Sequence, residues 1–320
     1  MDYFIVIFGI NGQMKKQLIY LFLVISPFSF AQKGDSIKNI HAAKLFQLRS
    51  LQTEVFYSKK EADRMAANKD FIKAIESIAV NQNSLNFPFD SLKEISTLTP
   101  KNKKFKLITW NIPKEDETHL FFGFLLVNNS KRVRTGFMKH ETINNYEFFK
   151  LVDKSGSVKN PETYIGTPDK WFGMLYLDII ECEDYYTLLA WDGNDKLIQR
   201  KFIDVLYFKP DGTPIFGKDV FKFPRKNPKR LMFEYSSDVT MSLKYNQKNG
   251  NIVYSHLAPR EEGTVMDGLP QYYGPDGSFD SMIQRKGKWV VEEDVDARNT
   301  KNKNDNKDKP DKEKLMPKEK

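Results

Sequence analysis

From residue 100 onward the chain is written in short runs of aromatic and β-branched residues separated by turn residues. No stretch of helical periodicity separates one run from the next. That pattern specifies antiparallel pairing, because parallel neighbours need a long crossover, usually helical, between consecutive strands. The runs fall at 105–112, 120–127, 133–138, 171–180, 186–191, 197–208, 229–236, 240–245, 252–256, 279–285 and 289–295. Asp192-Gly193-Asn194-Asp195 and Asn249-Gly250 stand between adjacent runs and tolerate the positive φ of tight hairpins. The expected fold is mainly β, an antiparallel β-rich domain over 101–298 built as a sandwich, barrel or meander.

Residues 32–100 read differently. Ile37, Ile40, Leu45, Leu48 and Leu51, then Phe71, Ile72, Ile75 and Ile78, recur at helical spacing. The polar stretch 58–63 divides them, so two helices are expected, with Phe87-Pro88-Phe89 closing the segment.

Further upstream, Lys15 and Lys16 precede an apolar run from Leu18 to Ile25, a break at Pro27, and small residues at Ser29 and Ala31. This is the layout of a secretory signal peptide, with cleavage expected after Ala31 and translation expected to start at Met14. The run is shorter than the roughly 20 residues that cross a bilayer. The mature chain is therefore expected not to span a membrane.

Charge narrows the partners. Of the formal +8, residues 1–31 carry +1 and the Lys-rich tail 299–320 carries +3, which leaves +4 spread over the rest. Such weak steering, on an exported chain, argues against nucleic acid as a partner. The tail lacks aromatic residues and nearly all aliphatic ones, and is expected to be disordered. One cysteine, Cys182, excludes an internal disulfide and CxxC chemistry, and its acidic neighbours point to an inert thiol. No cofactor is expected.

Two clusters stand out as candidate sites. Lys218, Lys222, Arg225, Lys226, Lys229 and Arg230 crowd around phenylalanines in one Pro-bounded run, a pattern suited to an anionic polymer such as a charged glycan. Asp178, Glu181, Glu183 and Asp184 crowd at a strand end, where carboxylate oxygens are the ligands a hard cation takes. Among the aromatics, Trp110, Trp171, Trp191 and Trp289 alternate with aliphatic residues, which marks most of them as core. His119, His140 and His256 lie in or beside strand runs, but no Gly-x-Ser-x-Gly elbow accompanies them and no catalytic residue is assigned.

The combination of the short leader ending Phe-Ala-Gln, the abundance of Lys, Asn and Phe, and the segments Leu189-Ala190-Trp191-Asp192-Gly193-Asn194-Asp195 and Tyr272-Tyr273-Gly274-Pro275-Asp276-Gly277 resembles uncharacterised exported proteins of Bacteroidota-type bacteria. That resemblance implies an envelope location, in the periplasm or at the outer surface, and no site residue. The function expected is a non-enzymatic binding or structural module for another envelope component. Two alternatives stand beside it: a glycan- or peptide-directed hydrolase using paired carboxylates, and a binder of anionic polymer through the basic 218–230 run.

Overall fold

The computed structural model describes residues 28–81, 84–223, 227–261 and 268–292, with side chains described from residue 40. The start at Met14, the leader to residue 27, Arg225, Lys226 and the tail 299–320 lie outside the described residues. The chain divides into an N-terminal unit, Met1–Ala42, and a body, Ala43–Lys320. Helix α1 covers Phe28–Tyr57 and so runs through the expected cleavage position at Ala31. Helix α2 covers Glu61–Ala79. The break between them falls in the polar stretch that the spacing marks. No helix among the described residues is long and apolar enough to cross a membrane.

The body is mainly β, and its sheets are antiparallel apart from one two-residue pairing. The first sheet holds β1 (Ser96–Leu98), β2 (Phe105–Pro113) and β3 (His119–Asn128). A separate two-stranded ribbon, β4 (Lys131–Gly136) and β5 (Lys139–Ile143), follows before β6 (Tyr146–Leu151) returns to pair with β3. The second sheet holds β7 (Leu175–Glu181), β8 (Tyr186–Asp192), β9 (Ile198–Phe208) and β10 (Pro214–Phe216). After β11 (Phe221–Lys222), β12 (Leu231–Ser236) joins the free length of β9. The third sheet is β11, β16 (Lys288–Glu292), β15 (Tyr273–Arg285), β14 (Asn251–Pro259) and β13 (Leu243–Asn246), and its β11–β16 pair is the parallel one.

Period-two alternation on β2, β3, β8 and β9 buries both faces of the first two sheets, which stacks the body in layers. Ile108, Trp110, Ile112, Phe124 and Leu126 pack under α2 with Phe71, Ile75 and Ile78. The opposite faces, with Phe105, Leu107, Leu125, Leu188, Phe202 and Leu206, meet in a middle core between the first and second sheets. Leu189, Ile203 and Val205 turn the other way and meet Ile252, Met282 and Trp289 of the third sheet. The architecture is thus helices on sheet on sheet on sheet, with three cores, so the expected sandwich is realised with one layer more than the usual two or three. Trp110 locks α2 down from within the sheet. Its Nε1 donates to Asn68 Oδ1 at 2.9 Å and its ring meets Phe71 edge-on at 5.4 Å.

Two departures from the strand reading have physical reasons. The run 133–138 is not one strand, because Phe137 and Met138 form the turn between β4 and β5. β1, β10 and β11 are only two or three residues long and do not stand out from their surroundings, and β6 (Tyr146–Leu151) pairs along the edge of β3.

Candidate functional site

The middle core carries a fully buried ion pair. Asp204 of β9 faces into it between Phe202 and Leu206 and is fully buried, as is Arg230. Arg230 Nε donates to Asp204 Oδ1 at 2.9 Å and Nη1 donates to the Pro161 carbonyl at 2.9 Å. Tyr176 Oη donates to Asp204 Oδ2 at 2.8 Å and accepts from Trp171 Nε1 at 3.1 Å. Burial, and then the adjacent carboxylate, hold the Tyr176 hydroxyl well above its ordinary pKa. Among the described residues Arg230 Nη2 has no hydrogen-bond partner.

Toward one end of the same sheet face this core opens into a cleft of about 430 Å³. Three strands supply its polar row. Asp192 of β8 pairs in register with Arg200 of β9, and Arg200 pairs with Glu234 of β12. Arg200 Nε donates to Glu234 Oε1 at 2.7 Å, while its Nη1 lies 3.8 Å from Asp192 Oδ2. Asp192 Oδ1 accepts the Asn194 N–H at 2.7 Å, which shapes the turn after β8. Burial dominates its titration, and nearby Asp153 and Asp195 add to it. Together they outweigh Asn194 and Arg200 and push the Asp192 carboxyl up to about 6.

His119 opens β3 on the opposite wall. Its Nδ1 accepts from Asn111 Nδ2 at 2.8 Å, which puts the proton of the neutral ring on Nε2. Burial lowers its pKa and keeps it neutral near pH 7. The ring meets Trp191 edge-on at 5.3 Å and lies over Phe121 at 6.3 Å. Gly193 makes this approach possible, since a Cβ there would stand 2.2 Å from His119 Nε2. Phe172 lies against Phe202 at 5.6 Å on the inner side, with the Arg230 guanidinium 5.4 Å from its ring centre. Asp153 braces the remaining wall by accepting from the N–H groups of Ser155 at 2.8 Å and Gly173 at 3.0 Å.

The residues singled out in the sequence fall elsewhere. Of the basic run, Arg230 is a correction: it is fully buried on Asp204 and presents nothing to a polymer. Lys218 is paired with Asp184 and lies 5.2 Å over both Tyr185 and Tyr207. Lys229 Nζ is 3.9 Å from Asp219, and Lys222 is exposed on β11. The acidic cluster does not converge. Glu181 accepts from the Asn102 N–H at 3.1 Å, Asp178 from the Ile179 N–H at 2.8 Å, and Asp184 holds Lys218, while Glu183 borders the hollow beside Tyr185. No three His, Cys, Asp or Glu side chains among the described residues are grouped to hold a metal ion. The Cys182 thiol is indeed raised in pKa, but burial is the main cause and not its acidic neighbours. Trp110, Trp171 and Trp289 are fully buried core, and Trp191 is partly buried against His119 with its Nε1 donating to Gln199 Oε1 at 3.2 Å.

Asp192, Arg200 and Glu234 were not among the expected site residues. The turn at 193–197 fixes the pairing of 192 with 200 and was a usable signal for half of the row. Nothing in the sequence marks β12 as the next neighbour of β9. No protein-family model matches this chain, and no curated protein or solved structure was found to match it.

Proposed function

We propose that the protein is an exported, β-rich binding module that receives a small, uncharged, hydroxyl-rich ligand, a glycan fragment of the cell envelope, in the Asp192–Arg200–Glu234 cleft. The observation that carries this reading is the three-strand row of planar polar groups, acid, guanidinium and acid, which with the His119 imidazole lines a cleft of about 430 Å³ over the buried rings of Phe121 and Phe172. That volume lies in the range of small-molecule sites. Carboxylates accept from sugar hydroxyls, and guanidinium and imidazole N–H groups donate. The two carboxylates on the row disfavour an anionic ligand. The signal-peptide layout before residue 32 supports export.

The reading is tested by thermal melting of the protein with a panel of neutral oligosaccharides, since a ligand that binds only the folded state raises the melting temperature by mass action. A saturable rise with at least one sugar, lost in Arg200→Gln, is the expected result. A panel without effect, or a rise unchanged by that substitution, overturns the assignment.

One observation favours a second reading, hydrolysis by paired carboxylates. Asp192 titrates near 6 and so can carry a proton to a leaving oxygen, while Glu234 is tied to Arg200. Release of reducing ends that disappears in Asp192→Asn would establish it.

A further inference from the structure

The ribbon β4–β5 stands apart from the layered body. It continues the β3–β6 pairing beyond Asn128 and Tyr146, and backbone hydrogen bonding from Asn129 to the Asn145 carbonyl at 2.7 Å ties its base. Its strands pair with each other and form a sheet of their own. Every residue of the two strands is exposed except Val133, which is partly buried. At the usual strand rise, six residues carry the tip about 20 Å from that base. An isolated two-stranded hairpin gains little from water, so an exposed one of this length calls for a surface to rest on.

Its chemistry specifies which surface. The tip is Phe137-Met138, 87% and 82% exposed. Met138 takes a left-handed backbone, φ 55°, at a two-residue turn where Asn or Gly is the unstrained choice. Two large apolar side chains thus occupy the outermost point of the ribbon against both local preference and solvation. Immediately behind them stand Arg134 and Lys139, then Arg132 and Lys131, with Glu141 the only acid between residues 131 and 143. The register Arg132–Thr142 and Arg134–His140 puts two guanidinium groups and an imidazole on one face. An apolar tip backed by cations matches the depth profile of an anionic bilayer, acyl boundary first and phosphate next. Charged edge strands such as these also discourage strand addition by a protein.

We infer that the 131–143 hairpin docks the protein on an anionic phospholipid membrane, with Phe137 and Met138 entering the interface and Arg132, Arg134 and Lys139 meeting the phosphates. The site is independent of the cleft, and the protein rests on the membrane without crossing it.

The test is cosedimentation of the full chain with phosphatidylcholine vesicles holding about 30% phosphatidylglycerol, against vesicles of phosphatidylcholine alone, where each cation near an anionic surface is worth about fivefold in affinity. Wild type is expected to bind the anionic vesicles and to leave them at high salt. Phe137→Ser with Met138→Ser should weaken binding by about tenfold or more. Arg132→Gln with Arg134→Gln and Lys139→Gln should weaken it by about a hundredfold. The apolar leader and the Lys-rich tail are common to all three proteins, so the differences read the hairpin. Both variants change exposed side chains, and unchanged thermal melting verifies that they fold. As a second readout, Phe137→Trp should gain emission that brominated lipid quenches. Binding by the Phe137/Met138 variant equal to wild type, binding indifferent to phosphatidylglycerol, or emission unquenched on bound vesicles would overturn the inference.

Discussion

Arg200 stands between Asp192 and Glu234 in one cross-strand row, yet it shares itself unequally: its Nε is 2.7 Å from Glu234 and its Nη1 is 3.8 Å from Asp192. The asymmetry leaves Asp192 as the under-compensated carboxylate of the pair. With most of its side chain out of water, desolvation exceeds the guanidinium's attraction and the group titrates near 6. A row that looks symmetric in register is therefore chemically polarised, with a protonatable group at one end and a paired carboxylate at the other.

That polarisation is visible in the pH dependence of stability. Asp192 binds its proton more tightly in the folded state than its usual 3.8, so its contribution favours folding increasingly as pH falls from about 6 toward 4. The span corresponds to an effect on the order of 2–3 kcal/mol. His119 acts with the opposite sign in an overlapping window. Its folded pKa lies below 6.5, so its contribution is present above that pH and is lost as pH falls. Urea unfolding between about pH 4 and 7 should show Asp192→Asn losing stability on acidification faster than wild type, and His119→Gln gaining it. Equal slopes for Asp192→Asn and wild type would contradict the burial of that carboxyl.

Removing the guanidinium should cost more than its own bond. Arg200→Gln leaves Glu234 without its charge-assisted donor and is expected to lower stability by about 1–3 kcal/mol. In the double variant with Glu234→Gln a measurable part should return, because the unpaired charge has gone. Strict additivity in that cycle would mean that the 2.7 Å pair contributes no coupling.

Gly193 is set by close approach. Alanine there drives its Cβ to 2.2 Å from His119 Nε2, against a ring already held by Asn111 and Trp191. Gly193→Ala should destabilise by about 1–3 kcal/mol and shift the His119 resonances. Gly250 is the control. A Cβ there meets nothing within 4 Å, and only its positive φ of 67° opposes substitution, so Gly250→Ala should cost about 1 kcal/mol and leave His119 unmoved.

The pair Arg230–Asp204 carries the largest single-residue cost expected in the body. Arg230→Met strands Asp204 in the middle core and should lower stability by about 3–5 kcal/mol in chemical denaturation. Arg230→Met with Asp204→Leu should be milder than Arg230→Met alone, with Tyr176 left seeking a partner. A single substitution that proves harmless would show that Asp204 is hydrated.

Much of this fold is legible in the sequence because it rests on local pattern. The runs that became β2, β3, β8 and β9 are dense in aromatic and aliphatic residues between turn signals, and Asp192-Gly193-Asn194 announces its hairpin through residues that accept turn geometry. The helix break before Glu61 follows from the polar stretch preceding it. The layering was not legible, since it depends on which faces meet: Leu188 and Leu189 read alike yet serve different cores. The site was harder still. A run of cations looks like a surface, and only the long-range pairing of β9 with β12 draws Arg230 inside onto Asp204 and Glu234 out to Arg200. The tip Phe137-Met138 reads as strand from composition, because aromatic and apolar residues are rare at a two-residue turn.

The most direct test of the cleft as a ligand site follows the histidine ring signals by NMR during titration with the neutral oligosaccharide that raises the melting temperature most. His119 edges the cleft, whereas His140 lies on the exposed ribbon and His256 is on β14 beside Asp280. Saturable movement of the His119 resonances, with those of His140 and His256 unchanged and the movement lost in Arg200→Gln, is the expected result. Still resonances at His119 under saturating sugar, or movement confined to His140 or His256, would contradict it.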